Sequence, residues 1–488
     1  MSLNLNVVIL AAGQGKRMYS KLPKVLHKIG DKPLLQHVIA TAVQLKPNKV
    51  IIIYGHGGEV VKNTIDTALL NINHDNPANI IWVKQDAQLG TGHALQCAVP
   101  YLDSIYNANK NGNADDSATL VLYGDVPLIS AATLQLMLNK YENSNNSGNK
   151  NNNINNIVML TAEVDNPTGY GRVVRNELSE IVRVVEQKDA APHEHLICEI
   201  NTGFYALPTK NLATWLQQLS NNNQQNEYYL TDVIGIAAEN NTIIDYLSVK
   251  DHAEILGVNN KVQLEQVERL YQRRVVNQLL ESGLTVLDKS RIDIRGTLKH
   301  GMDCIIDVNC IFVGSVELGD NVTIGAGCII KDTTIGHNVT IKPYTVIEGV
   351  VSIGDNCQIG PFSRIRPDAN IEPDAHIGNF VEIKKSKIGR GSKVNHLTYI
   401  GDAVIGERVN VGAGSVTCNY DGVNKSQTTI EDNVFIGSGT MMIAPVVIRA
   451  GGVIGAGSTI TRDTEPNELT VARSKQVTVK GWVKRYKK

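Results

Sequence analysis

In the second half of the chain isoleucine falls on every sixth position, at Ile341, Ile347, Ile353, Ile359, Ile365, Ile371, Ile377 and Ile383. Six residues turn an α-helix by about 600°, so such a column cannot keep to one helical face. Six is a multiple of the strand's two-residue period, however. A short strand and a corner repeated at that interval keep the column on one inward side, the sign of a parallel β-helix. The column runs upstream through Ile324, Ile330 and Ile335 and downstream through Ile388, Val394, Ile400, Ile405 and Val411, with some steps of five. It resumes as Ile430, Ile436, Met442, Ile448, Ile454 and Ile460. Gly follows many of its members (Gly354, Gly360, Gly378, Gly389, Gly401, Gly437, Gly455), as a corner requires where φ is positive or space is short. The phase breaks between Val411 and Ile430. That break predicts a loop from Cys418 to Ser426 thrown out of the coil, where repeat proteins carry function.

The first half has another pattern, strand-like apolar runs alternating with helical stretches, which predicts an α/β fold with a mostly parallel sheet. Val7 to Leu10, Lys49 to Tyr54, Asn79 to Val83 and Thr119 to Tyr123 read as buried strands. From Lys261 to Gly283, Leu264, Val267, Leu270, Val275 and Leu279 keep helical spacing among polar residues and Gly283 supplies a stop. The expected organisation is therefore 1–260, an α/β domain; 261–283, a connecting helix; and 284–488, a β-helix domain. The β-helix is expected to reach about Arg473 and to end in a basic tail containing Lys480, Lys484, Arg485, Lys487 and Lys488. Asn-rich tracts at 107–113, 143–156 and 221–226 cannot bury a core and read as loop expansions.

Composition narrows the possibilities. A formal net charge of -1 argues against a nucleic-acid surface, and an aromatic content of 5% with 42 Gly suits a β-helix. The seven Cys form no C-x-x-C pair and are odd in number, so neither a disulfide framework nor a zinc ribbon is indicated, and a reducing cytosol fits. The apolar run Val7 to Ala12 is too short for a signal segment or a membrane span. A cytoplasmic protein is expected.

Candidate chemistry begins where the first strand enters Leu10-Ala11-Ala12-Gly13-Gln14-Gly15-Lys16-Arg17-Met18. Glycines let backbone N–H groups approach phosphates, and the two basic residues add charge at the C-terminal end of a central strand. The loop lacks the third Gly of a dinucleotide fingerprint and the Gly-Lys-Ser/Thr of a Walker A loop. Lys24 follows in Leu-Pro-Lys, and Tyr123-Gly124-Asp125 ends a buried strand in a carboxylate suited to Mg²⁺. In LAAGxGxRM, LPK and YGDVP the chain resembles the sugar nucleotidyltransferases. With QLGTGHA (Gln88 to Ala94), GYGR (Gly169 to Arg172), VEQKD, EINTG, EYYLTD and GVNN (Gly257 to Asn260), followed by a β-helix, the resemblance covers the full length. It is to the bifunctional N-acetylglucosamine-1-phosphate uridylyltransferase/glucosamine-1-phosphate N-acetyltransferase family, which makes UDP-N-acetylglucosamine for peptidoglycan and lipopolysaccharide.

The resemblance implies an N-terminal Rossmann-like nucleotidyltransferase domain, a connecting helix and a C-terminal left-handed parallel β-helix of hexapeptide repeats. It implies a homotrimer with acetyltransferase sites between adjacent β-helices, small-molecule substrates and no nucleic-acid or membrane partner. Leu10, Ala11, Ala12, Gly13, Arg17 and Lys24 would hold the triphosphate, with Arg17 and Lys24 as catalytic cations. Gln85, Gly90 and Thr91 would read uracil. Tyr123 and Gly124 would complete the nucleotide site, Gly171, Glu186 and Asn201 would hold the N-acetyl sugar, and Asp125 and Asn259 would bind Mg²⁺. Lys16 departs from the family, which usually carries Thr, and adds a cation beside the triphosphate.

For the second transfer, acylation of a sugar amine needs a base, and His serves near neutral pH. His396 stands out among His300, His337, His376 and His396 because Tyr399, Asn410 and the Asn419-Tyr420 loop follow within two coils. By resemblance His396 is the general base, Arg366, Lys384, Tyr399 and Asn410 bind glucosamine phosphate, and Ala413, Asn419, Tyr420, Ser438, Ala456 and Arg473 bind acetyl-CoA. Arg366 and Lys384 are one three-sided coil apart, which stacks two cations for one phosphate. A zinc carbonic anhydrase, the rival for a hexapeptide chain, needs three converging His. The intervals between the four here are not multiples of a coil. A monofunctional nucleotidyltransferase would leave His396 and the loop without purpose, and a β-helical scaffold would leave Asp125, Lys24 and the Gly loop so.

Overall fold

Val7-Val-Ile-Leu10 is apolar without alternation, and the strand it joins, Asn4–Ala11, is covered on both faces. Val7 and Ile9 pack with Leu35, Val38 and Ile39 of the helix Leu34–Gln44, while Val8 and Leu10 pack with Ala94 and Leu95 of the helix Thr91–Ala98. The computed structural model describes residues 3–55, 57–69, 79–102, 117–146 and 156–483. In the first unit the main sheet runs in the order Ile244–Ser248, Ile157–Glu163, Glu199–Pro208, Ser117–Tyr123, Asn4–Ala11, Lys49–Tyr54, Asn79–Lys84. Only Glu199–Pro208 is antiparallel to its neighbours on that path. All four expected strands are present. The chain starts at the sheet's centre, steps outward twice, then returns to the other side of the first strand. That reversal opens a crevice at the C-terminal ends of Asn4–Ala11 and Ser117–Tyr123, where open α/β sheets bind ligands.

The chain forms two compact units, Met1–Tyr271 and Gln272–Lys488. The expected connecting helix is Lys261–Glu281, and Gly283 follows it at φ 104. The division falls inside this helix and not at its start, because its turns belong to different cores: Val267 packs with Met18, Ile29 and Leu34, and Val276 with Leu284 and Ile294.

The second unit is a three-sided parallel coil. Ile341, Ile359 and Ile377 lie directly opposite one another on the first face, Ile347, Ile365 and Ile383 on the second, and Ile353 and Ile371 on the third. The single isoleucine column is thus three inward columns, all essentially free of solvent. A coil takes eighteen residues, or seventeen where the ladder steps by five. At the base, Ile329–Ile335 pairs with both Val346–Ile347 and Val351–Ile353, so one strand bends around a corner and joins two faces into one sheet. The break after Val411 is a single long coil: Val411 pairs with Ile436, and Tyr420 and Lys425 bridge to close the predicted loop.

One expectation needs correction and one is sharpened. Of the two reasons expected for the glycines that follow the ladder, positive φ applies only at Gly360, and at the others space is short. A Cβ on Gly378 would lie 2.6 Å from the carbonyl carbon of Asn395 on the next coil. The positive-φ corners are held instead by Asn338, Asn356 and Asp374 and by Tyr344, Phe362, Phe380 and Leu397. The Asn-rich tract at 143–156 is not loop at its start, since the helix Ala131–Asn146 runs into it, and Asn156 is buried. The 221–226 tract is loop, while the 107–113 tract, residues 147–155 and the tail beyond Val483 lie outside the described residues.

Candidate active sites

The Gly loop turns directly off the first strand. Gly15 adopts φ 62, and a Cβ there would press to 2.7 Å from the Cβ of Lys24. Gln88 Nε2 donates to the Ala12 carbonyl at 2.7 Å, tying the loop to the segment that carries Gln85, Gly90 and Thr91. Leu10, Ala11, Ala12, Gly13, Arg17, Lys24, Gln85, Gly90, Thr91, Tyr123 and Asp125 line one cavity of about 620 Å³ at the crevice. Lys16 lines it too. Gln85 is used internally: its Nε2 donates to the Gly90 carbonyl at 3.0 Å and contacts His93 Nδ1 at 3.0 Å, which fixes the turn before Thr91. Gly90 has φ 109, and a Cβ there would meet the Tyr228 carbonyl oxygen at 2.6 Å. Gly124 lies behind the cavity, its N–H donating to the Leu10 carbonyl at 2.9 Å.

The charges at the floor of the cavity converge. Lys24 Nζ is ion-paired with Asp125 Oδ2 and donates to Asn259 Oδ1 at 3.1 Å, so the two expected metal ligands meet at one ammonium. Two hard oxygen donors aimed at a cation are the donor set Mg²⁺ takes. Gly171, Glu186 and Asn201 do not line the cavity but form a group beyond Tyr123. Asn201 N–H donates to the Gly171 carbonyl at 2.9 Å, and Glu186 Oε1 accepts from Thr231 at 3.1 Å. Burial pushes the Glu186 carboxyl above the usual carboxylate range. Burial, with Glu186 and Asp125 nearby, also pushes the Tyr123 phenol up.

In the β-helix the expected residues collect at two corners. His396 Nδ1 lies 3.0 Å from Asn379 Oδ1, one coil below. An amide oxygen only accepts, so Nδ1 carries the proton and Nε2 is left as the basic nitrogen. Backbone bonds then step up this corner from His396 to Gly414, from Ala413 to Gly439 and from Ser438 to Gly457. His396, Ala413, Ser438 and Ala456 thus stand in one line, and Arg473 Nη1 donates to the Ala456 carbonyl at 2.6 Å. Below His396 the same corner carries Tyr344, Phe362 and Phe380, stacked at 5.2 and 5.5 Å; above it, the positive-φ positions are Gly414, Gly439 and Gly457.

The second corner holds Arg366 and Lys384, the cations expected to meet a phosphate. Arg366 and Lys384 are one coil apart in the same sheet, with Tyr399 on the strand above. Arg366 pairs with Glu382 at 2.8 Å, which pushes its guanidinium up, and Lys384 lies 3.6 Å from Asp402. Asn419 donates to Asp402, and Tyr420 follows in the loop. Asn410 is not brought to this group; it lies in the other sheet, opposite Lys393 and Phe435. Asn379, Glu382, Asp402 and Lys425, which Lys384 holds below the usual ammonium range, escaped the sequence analysis. Asn379 and Asp402 stand one coil from His396 and Lys384, so the repeat register was the signal that could have found them.

Residues 7–190 match the MobA-like NTP transferase domain family. Residues 332–367, 350–385 and 427–462 match the bacterial transferase hexapeptide (six repeats), and 301–332 the hexapeptide repeat of succinyl-transferase. The chain is 51% identical over 485 residues to the bifunctional protein GlmU of Chromobacterium violaceum, with 99% of each chain covered. It is 51% identical over 480 residues to that of Herminiimonas arsenicoxydans and 49% over 478 residues to that of Janthinobacterium sp. (strain Marseille), with 98% of each chain covered.

Proposed function

The chain belongs to the family of bifunctional GlmU proteins, and from that premise we propose how its residues perform the two transfers. It is an enzyme that moves acetyl from acetyl-CoA to glucosamine 1-phosphate and uridylyl from UTP to N-acetylglucosamine 1-phosphate, releasing pyrophosphate and UDP-N-acetylglucosamine. The observation that carries the residue assignment is the convergence of Lys24, Asp125 and Asn259 at the floor of the crevice cavity.

In uridylyl transfer the sugar phosphate is already an anionic nucleophile, so no base is required, and the work is positioning and charge neutralisation. Backbone N–H groups of the Gly loop with Arg17 and Lys24 hold the triphosphate, Gln85, Gly90 and Thr91 hold uracil, and Gly171, Glu186 and Asn201 hold the sugar. Asp125 and Asn259 would hold a divalent cation, Mg²⁺, which would supply positive charge to offset that of the phosphates. In acetyl transfer His396 Nε2 accepts a proton from the amine as it attacks the thioester carbonyl; the C–S bond breaks and the proton is available to the leaving thiolate. Arg366 and Lys384 anchor the phosphate. The glycine-lined corner above His396, with Arg473 at its end, supports the coenzyme site, because absent side chains leave room for a long ligand.

A homotrimer of cytoplasmic enzyme is the assembly proposed. The three exposed aromatic rings below His396 support a covered corner, and among the described residues no helix is long and apolar enough to cross a membrane. The test is purified protein with glucosamine 1-phosphate, acetyl-CoA, UTP and Mg²⁺, read by mass. UDP-N-acetylglucosamine is expected, and it should vanish when acetyl-CoA is omitted; formation of UDP-glucosamine in its place would refute the order of transfers.

A further inference from the structure

Lys384 and Asn419 were assigned to different substrates, the sugar phosphate and the acetyl donor, yet both contact one oxygen. Oδ2 of Asp402 accepts a hydrogen bond from Asn419 Nδ2 and lies 3.6 Å from Lys384 Nζ. Its other oxygen lies 3.9 Å from Lys385 Nζ. The Asp402 side chain is only 11% exposed. Its backbone is held as firmly: its N–H donates to the Lys384 carbonyl at 3.1 Å, and its carbonyl accepts from Thr428, where the chain re-enters the coil after the loop, at 3.2 Å. Asp402 is therefore tied to the coil below and to both ends of the loop above.

A carboxylate this buried is costly unless paired. One lysine would satisfy it, but two cations surround it and Lys425 stands beside Lys384, so positive charge is left over for an anionic ligand. We propose that Asp402 is a positioning residue for acetyl transfer, fixing the phosphate-binding cation and the donor-binding loop to a single point. The proposal rests on the assignment of Lys384 and Asn419 given above. Amine and thioester react fast only when held in near-attack alignment, and a misplacement of about 1 Å can cost about 10²-fold. By pinning both contacts to one oxygen, Asp402 sets the span between the two substrates' anchors.

The test uses the full-length enzyme with Asp402→Gly and Asp402→Asn. Asp402 has φ 48. Glycine adopts that conformation freely and so removes the carboxylate without straining the backbone, while asparagine tolerates it and keeps an oxygen that can accept from Asn419. Asp402→Gly should lower kcat for acetyl transfer about 10²-fold, with the shape of its pH profile unchanged. Asp402→Asn should restore at least roughly a tenth of the wild-type kcat through the retained acceptor. Uridylyl transfer should be untouched by both. A kcat for Asp402→Gly within about threefold of wild type, or a changed pH profile in Asp402→Asn, overturns the proposal, the second by making Asp402 a proton-transfer group. His396→Ala, measured alongside, separates the failures. If it leaves acetyl transfer intact, the assignment of the site is wrong and the proposal falls with it; if it abolishes transfer while Asp402→Gly does not, only the proposal falls.

Discussion

Asp125 supplies one of two oxygens that meet at the Lys24 ammonium, so its removal leaves a cation without its carboxylate partner at the floor of the crevice. Asp125→Ala should cut uridylyl transfer by an amount equivalent to several kcal/mol with acetyl transfer unchanged; both rates measured on one preparation check this, and near-normal uridylyl transfer at low Mg²⁺ would contradict it. His396→Ala should lower acetyl transfer roughly 10²- to 10⁴-fold. Because the base works only when neutral, the wild-type rate should fall on acidification, whereas the variant's residual rate should follow the deprotonated fraction of the substrate amine into alkaline pH. A third residue tests stability. Burial, and then Asp189, pushes the Asp232 carboxyl up to about 6. The folded protein holds that proton more tightly than the unfolded chain, so the group favours folding below the ordinary carboxylate range, and that contribution is lost as pH rises through about 6. Asp232→Asn should therefore stabilise the first unit at pH 7.5, by less than the roughly 3 kcal/mol that the full shift is worth because solvent screens the partly exposed side chain, and by nothing below pH about 3.5. Thermal melts at both pH values check the sign; equal shifts at both would exclude ionisation as the cause. The candidate residues carried by a local motif or a fixed spacing were legible in the sequence. Asn379 and Asp402 were not, because a residue's partner one coil away lies beyond any local motif.

A coil of the β-helix is an element whose inside is written by isoleucine and whose corners are written by sterics. The inward positions could be read because burial repeats with the strand period. The corners could not, because positive φ fell on Tyr344, Phe362 and Phe380, residues that seldom adopt it, while most of the ladder's glycines answer a neighbouring backbone instead. Gly378→Ala makes this testable. Its Cβ would meet Asn395 backbone at about van der Waals violation, 2.6 Å from the carbonyl carbon, and overpacking of this kind costs about 1–3 kcal/mol. Gly378 precedes Asn379 and Asn395 precedes His396, so the displaced coil is the one that orients the His396 ring. The variant should melt earlier in its second unit and lose acetyl transfer while uridylyl transfer persists. A wild-type acetyl rate would mean that the coil absorbs the methyl group without moving His396.

At the scale of the molecule, two units with separate cores predict separable activities. A fragment ending at Leu280 should keep uridylyl transfer and lose acetyl transfer and self-association; a soluble, folded fragment without uridylyl transfer would count against independence. Phe380→Ser should weaken self-association, seen as a lower mass in sedimentation equilibrium, if the aromatic corner is the covered one. Length, the two hydrophobic periods and the Gly-loop and hexapeptide patterns were enough for the sequence to determine an α/β unit, a helix and a three-sided coil, because those features arise from local backbone geometry repeated along the chain. What only the tertiary structure decided was where the helix divides between two cores, that Lys24, Asp125 and Asn259 meet at one point, and that His396 and Lys384 occupy different corners, with Asn410 in the sheet of His396 and not in that of Lys384. Those are outcomes of packing, set by which surfaces meet when distant segments are brought into register, and no spacing along the chain encodes them.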